Sequence, residues 1–194
     1  ASGLEGEGRM QEPIQIIDFV SNYILNQKKL YGKKVLITAG PTYEAIDAVR
    51  FIGNFSSGKM GFALASTAAK LGAEVFLITG PTSLSIKNNR IKSFHVTNAA
   101  EMFKISSDLF LQADIAILSA AVSDFRPKKV KKNKIKKEGN GNLTIDLVSN
   151  VDILKHLGSL KKANQLLIGF ALESDNEVDN AIKKIKNKNL DAIV

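Results

Sequence analysis

The sequence has no cysteine. That excludes disulfides, thiol catalysis and cysteine-based zinc or iron–sulfur sites. It has no tryptophan and only two histidines. His95 and His156 lie far apart, neither with a metal-ligand neighbour, so both read as structural. A Ser/His/Asp or Cys/His catalyst is not supported. No apolar run approaches the roughly 20 residues of a membrane helix. The first residues show no basic region followed by an apolar stretch, so no signal peptide is legible. These absences set the expectation of a cytoplasmic protein with no membrane partner.

What is present is ordinary for a globular chain. It has 194 residues, 44% of them hydrophobic, enough for one full domain with a real core. The net charge of +8 invites a nucleic-acid reading. The charge is local, however. The segment KKVKKNKIKK, Lys128 to Lys137, holds seven lysines and no acid, and without them the net charge falls to +1.

Pro13 suits the first turn of a helix, where its missing N–H costs nothing, and IQIIDFVSNYILNQ continues with apolar residues at helical spacing. From there apolar, β-branched runs alternate with helical patterns. KVLITA, EVFLIT, IKSFHV, DIAILSA, LTIDLV, QLLIGFAL and LDAIV read as strands. GKMGFALASTAAKLGA, NAAEMFKISSDLFLQ, VDILKHLGSL and NEVDNAIKKIKNK read as helices. Gly72 is placed to stop one helix, and Asn98 with Glu101 forms a capping-box pattern for another. Such alternation predicts an α/β fold, a three-layer α/β/α arrangement around a mostly parallel Rossmann-like sheet. Sheets of that kind bind ligands beyond the carboxyl ends of their strands. AGPTYE, GPTS, AAVSDFRP and ALES are therefore the stretches to read for function. The chain stops inside LDAIV, which reads as a strand core, so the natural protein is expected to continue.

FIGNFSSGKMG contains G-x-x-x-x-G-K, but Met60 stands where a phosphate loop needs Ser or Thr for Mg²⁺. The segment GPTYEAIDAVRFI also separates it from the preceding strand, so it is not a P-loop. Ser56, Ser57 and Gly58 still open an apolar-periodic helix, whose free N–H groups suit an anion. A plain serine cap with small residues packed on the sheet reads equally well. Arg50 and Asn54 are spaced i, i+4 and share a face if that stretch is helical. Arg suits phosphate or carboxylate, and Asn can donate to developing negative charge. A surface arginine and a turn asparagine fit the spacing as well. Ala120 and Ala121 are small enough for a flat ring to lie on backbone. Asp124 could take a donor group or a metal-bound water, or be a simple loop residue. Lys134 could close over a phosphorylated ligand, and Lys184 and Lys188, spaced i, i+4, could face a triphosphate. Ordinary surface charge explains all three lysines equally.

Taken in order, VLITAGPTYEAIDAVRFIGNFSSGKMGFALA, AAVSDFRP, KIKK, NVDIL, GFALES and KNLDAIV resemble the phosphopantothenoylcysteine synthetase domain of the bacterial bifunctional coenzyme A biosynthesis flavoprotein. The resemblance runs from Tyr31 to the chain end. It divides the chain into 1–30, the decarboxylase tail and a linker helix, and 31–194, the ligase domain without its last strands. ASGLEGEGRM resembles the end of the partner decarboxylase, with Ser2 where that family usually has Cys. Most of the decarboxylase is missing, so no FMN binding is expected.

The resemblance implies a phosphopantothenate–cysteine ligase. It joins 4′-phosphopantothenate to L-cysteine with CTP and Mg²⁺, through an acyl-cytidylate. It implies catalytic roles for Asn54, Arg50, Lys134 and Ala121. It places the nucleotide near Gly40, Ser56, Ser57, Gly58, Met60, Gly61, Ala120, Asp124, Asn150, Val151, Asp152, Ile153, Phe170, Lys184 and Lys188, with Lys134 on a flap above. The metal ligands stay unassigned. Val151 departs from the family, which usually has Pro there. A homodimer is implied as well. Two other classes compete. One is a nucleic-acid module using the lysine run, which lacks the aromatics and arginines such binders use. The other is a dinucleotide-dependent oxidoreductase, disfavoured by the absence of G-x-G-x-x-G.

Overall fold

The computed structural model describes residues 11–137, 142–171 and 177–194, and for 24–27, 177 and 178 the backbone only. The expected ASGLEGEGRM tail lies outside the described residues, as do the residues that follow Ala171 in ALES. Helix α1 (Pro13–Gln27) is followed by β1 (Lys34–Ala39), β2 (Tyr43–Ala45), β3 (Phe51–Gly53), α2 (Lys59–Lys70), β4 (Glu74–Thr79), β5 (Ile91–His95) and α3 (Ala99–Phe110). Then come β6 (Ile115–Leu118), β7 (Phe125–Pro127), β8 (Leu147–Ser149), α4 (Ile153–Leu160), β9 (Leu166–Gly169), α5 (Glu177–Asn187) and β10 (Ala192–Ile193).

Six strands form one parallel sheet in the order β10-β9-β6-β1-β4-β5. The chain winds outward from β1 through β4 to β5, then crosses to β6 and winds the other way through β9 to β10. This is the doubly wound, Rossmann-like arrangement, and its order reverses between β1 and β6. Both faces are covered. On one, Val35, Ile37, Val75 and Leu77 pack on Phe62, Ala65, Ala68 and Ala69 of α2. On the other, Leu36, Phe76, Ile78 and Ala116 meet Met102 and Phe110 of α3 and Leu157 of α4. Alternation within β1 thus sends successive apolar residues into two cores, which is why the strand reads as an unbroken hydrophobic run. No helix among the described residues is long and apolar enough to cross a membrane.

Local signals act as their chemistry requires. The Asn98 side chain accepts from Glu101 N–H at 2.9 Å, and Glu101 reaches back to Thr97 N–H at 2.7 Å. Gly72, at φ 94°, ends α2 in a conformation that a Cβ would oppose.

Three details depart from expectation. Arg50 and Asn54 are not on a helix; they flank β3, which pairs antiparallel with β2. LTIDLV is not a strand of the main sheet. Only Leu147–Ser149 is extended, paired antiparallel with β7. Lys188 lies one residue past α5, although its N–H still bonds back to Lys184 C=O at 3.0 Å.

Candidate functional site

The site forms where the strand order reverses. An open cavity of about 210 Å³ lies past the carboxyl ends of β1, β6 and β9. Its wall includes Thr38 and Leu118 from the strands, then Ala120, Val122, Ser123 and Asp124 from the loop after β6. Asn150, Val151, Asp152, Ile153 and Leu154 line it from the entry to α4, and Phe170 and Lys188 complete it. Five stretches that are distant in sequence therefore meet at one mouth.

Hydrogen bonds hold this wall. Thr42 Oγ1 accepts from Ser123 N–H at 2.9 Å, and Ser123 Oγ donates to Thr42 C=O at 3.3 Å. Ala121 N–H donates to Gly40 C=O at 2.9 Å, and Ala121 forms an isolated parallel bridge with Pro41. Asn150 is fixed from both sides. Its N–H donates to Asp124 C=O at 2.7 Å and its Nδ2 to Ser123 C=O at 2.8 Å, while its Oδ1 accepts from Arg126 Nη1 at 2.9 Å.

Asp152 caps α4 by accepting Lys155 N–H at 2.9 Å, and its other oxygen pairs with Lys188 Nζ at 2.7 Å. Burial pushes the Asp152 carboxyl up, but hydrogen bonds from Lys188 and the Lys155 N–H outweigh it, and the net shift is downward. Asp152 thereby orients Lys188 at the cavity rim. Val151 is 54% exposed. Ile153 is buried beneath it, so it shapes the floor rather than offering a polar contact.

The start of α2 approaches the same strand ends from the other face. Gly58 is its N-cap at φ 77°, with no side chain capping the helix. Ser57 Oγ accepts from Lys59 N–H at a long 3.4 Å, and Ser56 Oγ from Gly58 N–H at 3.3 Å. The plain serine cap is therefore not what forms. A left-handed glycine turns the chain, and the N–H groups of the first turn, Met60 and Gly61 among them, have no intrahelical acceptor. A Cβ on Gly61 would collide with Ala39 and meet Ser119 Oγ at 3.0 Å. A Cβ on Gly58 would reach Gly40 N at 3.4 Å. These glycines let the helix start sit almost on the ends of β1 and β6, against Ala39 and Ser119.

Asn54 follows β3 and is exposed. Its Nδ2 donates to Val122 C=O at 3.0 Å, so the amide is moored to the cavity wall. Arg50 and Lys134 do not line the cavity. Arg50 lies in the turn before β3 and Lys134 in the exposed loop after β7, and the two segments touch through Ile135. Lys184, one turn before Lys188, is also absent from the lining. Among the described residues no group of three or more His, Asp or Glu could cage a metal ion.

Several residues of this architecture were not anticipated from sequence. Thr42 and Ser123 carried no motif. Asp47 did carry one. An Asp that accepts the N–H groups two and three residues on is a turn signature, and Val49 and Arg50 N–H donate to its Oδ1 at 2.8 and 2.9 Å.

Comparison with known proteins places this geometry. Residues 30–194 match the family model described as DNA/pantothenate metabolism flavoprotein C-terminal domain. The chain is 52% identical over its whole length to a protein from an unknown prokaryotic organism named cysteine/cysteine sulfinic acid decarboxylase, of which it covers 55%. It is 46% identical, again over its whole length, to the coenzyme A biosynthesis bifunctional protein CoaBC of Bacillus subtilis (strain 168), of which it covers 48%. The chain thus spans about half the length of these curated relatives. Among solved structures, the crystal structure of the C-terminal domain of a CoaBC protein superposes with a TM-score of 0.76 at 46% identity, covering 86% of this chain and 78% of that one. The chain belongs to the DNA/pantothenate metabolism flavoprotein C-terminal domain family.

Proposed function

We propose that the chain is a phosphopantothenate–cysteine ligase that activates 4′-phosphopantothenate with CTP and passes the acyl group to L-cysteine. A carboxylate resists attack by an amine, so it must first acquire a leaving group. In this reading a carboxylate oxygen attacks the α-phosphorus of CTP, the bond to the β-phosphate breaks, and pyrophosphate leaves. The cysteine amine then attacks the acyl carbon of the acyl-cytidylate. The acyl C–O bond breaks, CMP departs with that oxygen, and the amine proton goes to solvent. No protein nucleophile is needed, which suits a chain without cysteine. Catalysis is left to positioning and charge stabilisation.

The observation that carries the reading is the cavity at the strand-order reversal, with the uncapped start of α2 beside it. The loop at Ala120 and Ala121 offers backbone against which the cytosine can lie, bounded by Asp124, Asn150 and Phe170. Lys188 stands at the rim for the phosphates, and the first turn of α2 adds N–H donors and a positive helix end. The Asn54 amide keeps one hydrogen on Val122 C=O and has a second for the acyl-phosphate oxygen. Arg50 and Lys134 supply positive charge as pyrophosphate separates. Mg²⁺ would be carried chiefly by the triphosphate oxygens, which is how this ion is commonly bound, with Asp124 as an exposed carboxylate in the cavity wall.

Two further parts belong to the same reading. The chain acts in the cytoplasm and works as a homodimer. The two small hairpins expose a set of large apolar side chains, with Phe51 stacked on Tyr43 and Phe125 half exposed. A second copy covering them is consistent with that exposure.

The test is an incubation with CTP, 4′-phosphopantothenate and Mg²⁺ but no cysteine. Pyrophosphate release with accumulation of an acyl-cytidylate is expected. Absence of pyrophosphate with CTP and with ATP refutes the ligase reading.

A further inference from the structure

The segment that carries Lys134 is tied down by a residue outside the site described so far. Asp47 sits in the turn between β2 and β3, and its side chain is fully shielded from solvent. A carboxylate is rarely found there unless its oxygens are well supplied with donors. Oδ1 is used locally, by the N–H groups of Val49 and Arg50. Oδ2 is used differently. It accepts from Arg50 Nε at 3.0 Å, from Arg50 Nη2, and from Ile135 N–H at 3.0 Å. Arg50 Nη2 also donates to Ile135 C=O at 2.9 Å. Carboxylate and guanidinium together hold both the N–H and the C=O of one residue, 88 positions away in the chain from Asp47. A further backbone bond, Lys131 N–H to Ile46 C=O at 3.0 Å, lies on the same seam.

The turn itself needs only Oδ1, a task that Asn performs as well as Asp. The negative charge and the second oxygen serve Arg50 and residue 135. Lys134 is the neighbour of that pinned residue. Arg50 remains 41% exposed, so part of its guanidinium can still meet an anion.

We propose that Asp47 is a positioning residue: it orients Arg50 and pins the Lys134 segment to the β2–β3 turn, so that one buried carboxylate sets the placement of both cations. The inference deepens the ligase reading and rests on it for its effect on turnover, but not for the pin itself.

Asp47→Asn preserves shape and the Oδ1 bonds. It removes the charge, and its amide cannot serve the N–H groups of Arg50 and Ile135 as the carboxylate does. In the substrate-free chain, trypsin cleavage after Lys132, Lys134 and Lys136 should quicken by about tenfold, while cleavage elsewhere and the circular dichroism stay unchanged. Turnover should fall by about tenfold or more through kcat, with the KM for CTP moved less. In a Lys134→Ala background the same substitution should cost clearly less than in the unsubstituted chain, because the part of its effect that runs through Lys134 is already lost and only the part through Arg50 remains.

If Asp47→Asn does not fold, amide hydrogen exchange in the unsubstituted chain serves instead: the Ile135 N–H, held by Asp47 Oδ2, should exchange about tenfold or more slowly than the N–H groups of Lys134 and Lys136, and equal rates overturn the proposal. Unchanged cleavage in the lysine segment overturns the proposal, as does a full, independent loss of kcat in both backgrounds. If the unsubstituted chain releases no pyrophosphate, the ligase reading fails, while the cleavage rates still decide whether Asp47 holds the segment.

Discussion

Asn54 is exposed, moored to the cavity wall by one hydrogen bond, and absent from both cores. A substitution there should therefore register in chemistry and not in folding. In Asn54→Asp a donor becomes a second negative charge that faces both the Val122 carbonyl and the reacting phosphate. Turnover should drop by about a hundredfold, with an unchanged melting temperature, when single-turnover rates are compared with the unsubstituted chain. Asp47 gives the complementary test, in stability. The Arg50 guanidinium and then the Ile135 N–H hold its carboxyl well below the usual carboxylate range. A depressed pKa contributes stability that is fully present above the unfolded value of about 4 and is lost as pH falls through the folded value. Melting temperature should therefore decline below about pH 4 in the unsubstituted chain, and decline less steeply in Asp47→Asn. Equal slopes would mean that the clamp is not formed in solution. The two residues differ in legibility. Asn54 announced itself by its place in a recognisable run. Asp47 looked like any turn residue, because the oxygen that matters is used by a partner far along the chain.

At the scale of elements, the sheet and its helices were readable because they are long enough to show periodicity and are punctuated by strong caps. The hairpins were not. β2, β3, β7 and β8 are three residues each, too short for an alternating pattern to stand out. LTIDLV alternates well and still stays out of the main sheet, because strand pairing is decided by neighbours as much as by pattern. The same limit affected FIGNFSSGKMG. The sequence marks a helix start, but only the fold shows that β3 ends before Asn54 and that a left-handed glycine, not a serine, turns the chain into α2. The close seat of α2 is testable. In Gly61→Ala the added methyl has no room against Ala39, so the helix must lift from β1. A loss of roughly 1–3 kcal/mol is expected in denaturant unfolding, together with a raised KM for the nucleotide as the helix start moves. Unchanged stability would show that the helix does not sit so close.

For the molecule as a whole, charge and apolar surface point to different partners. The lysine run gives the chain its positive balance, yet Lys128 and Lys131 use their backbone N–H groups to pin the segment, bonding Asp146 C=O and Ile46 C=O. The side chains of this run include no aromatic residue on which a base could stack. Tight binding to DNA or RNA at moderate salt is therefore not expected; a strong, steeply salt-dependent affinity lost on deleting Lys128 to Lys137 would favour the nucleic-acid reading instead. The exposed aromatics of the hairpins predict self-association. Phe51→Asp combined with Phe125→Asp should shift sedimentation from dimer to monomer, and a dimer that survives both would place the interface elsewhere. The central claim, that the carboxylate is activated as an acyl-nucleotide, is tested most directly by following oxygen. With 4′-phosphopantothenate labelled by ¹⁸O in its carboxylate, plus CTP and cysteine, the account predicts one labelled oxygen in the phosphate of the released CMP. Label in inorganic phosphate, or CMP without label, would contradict it.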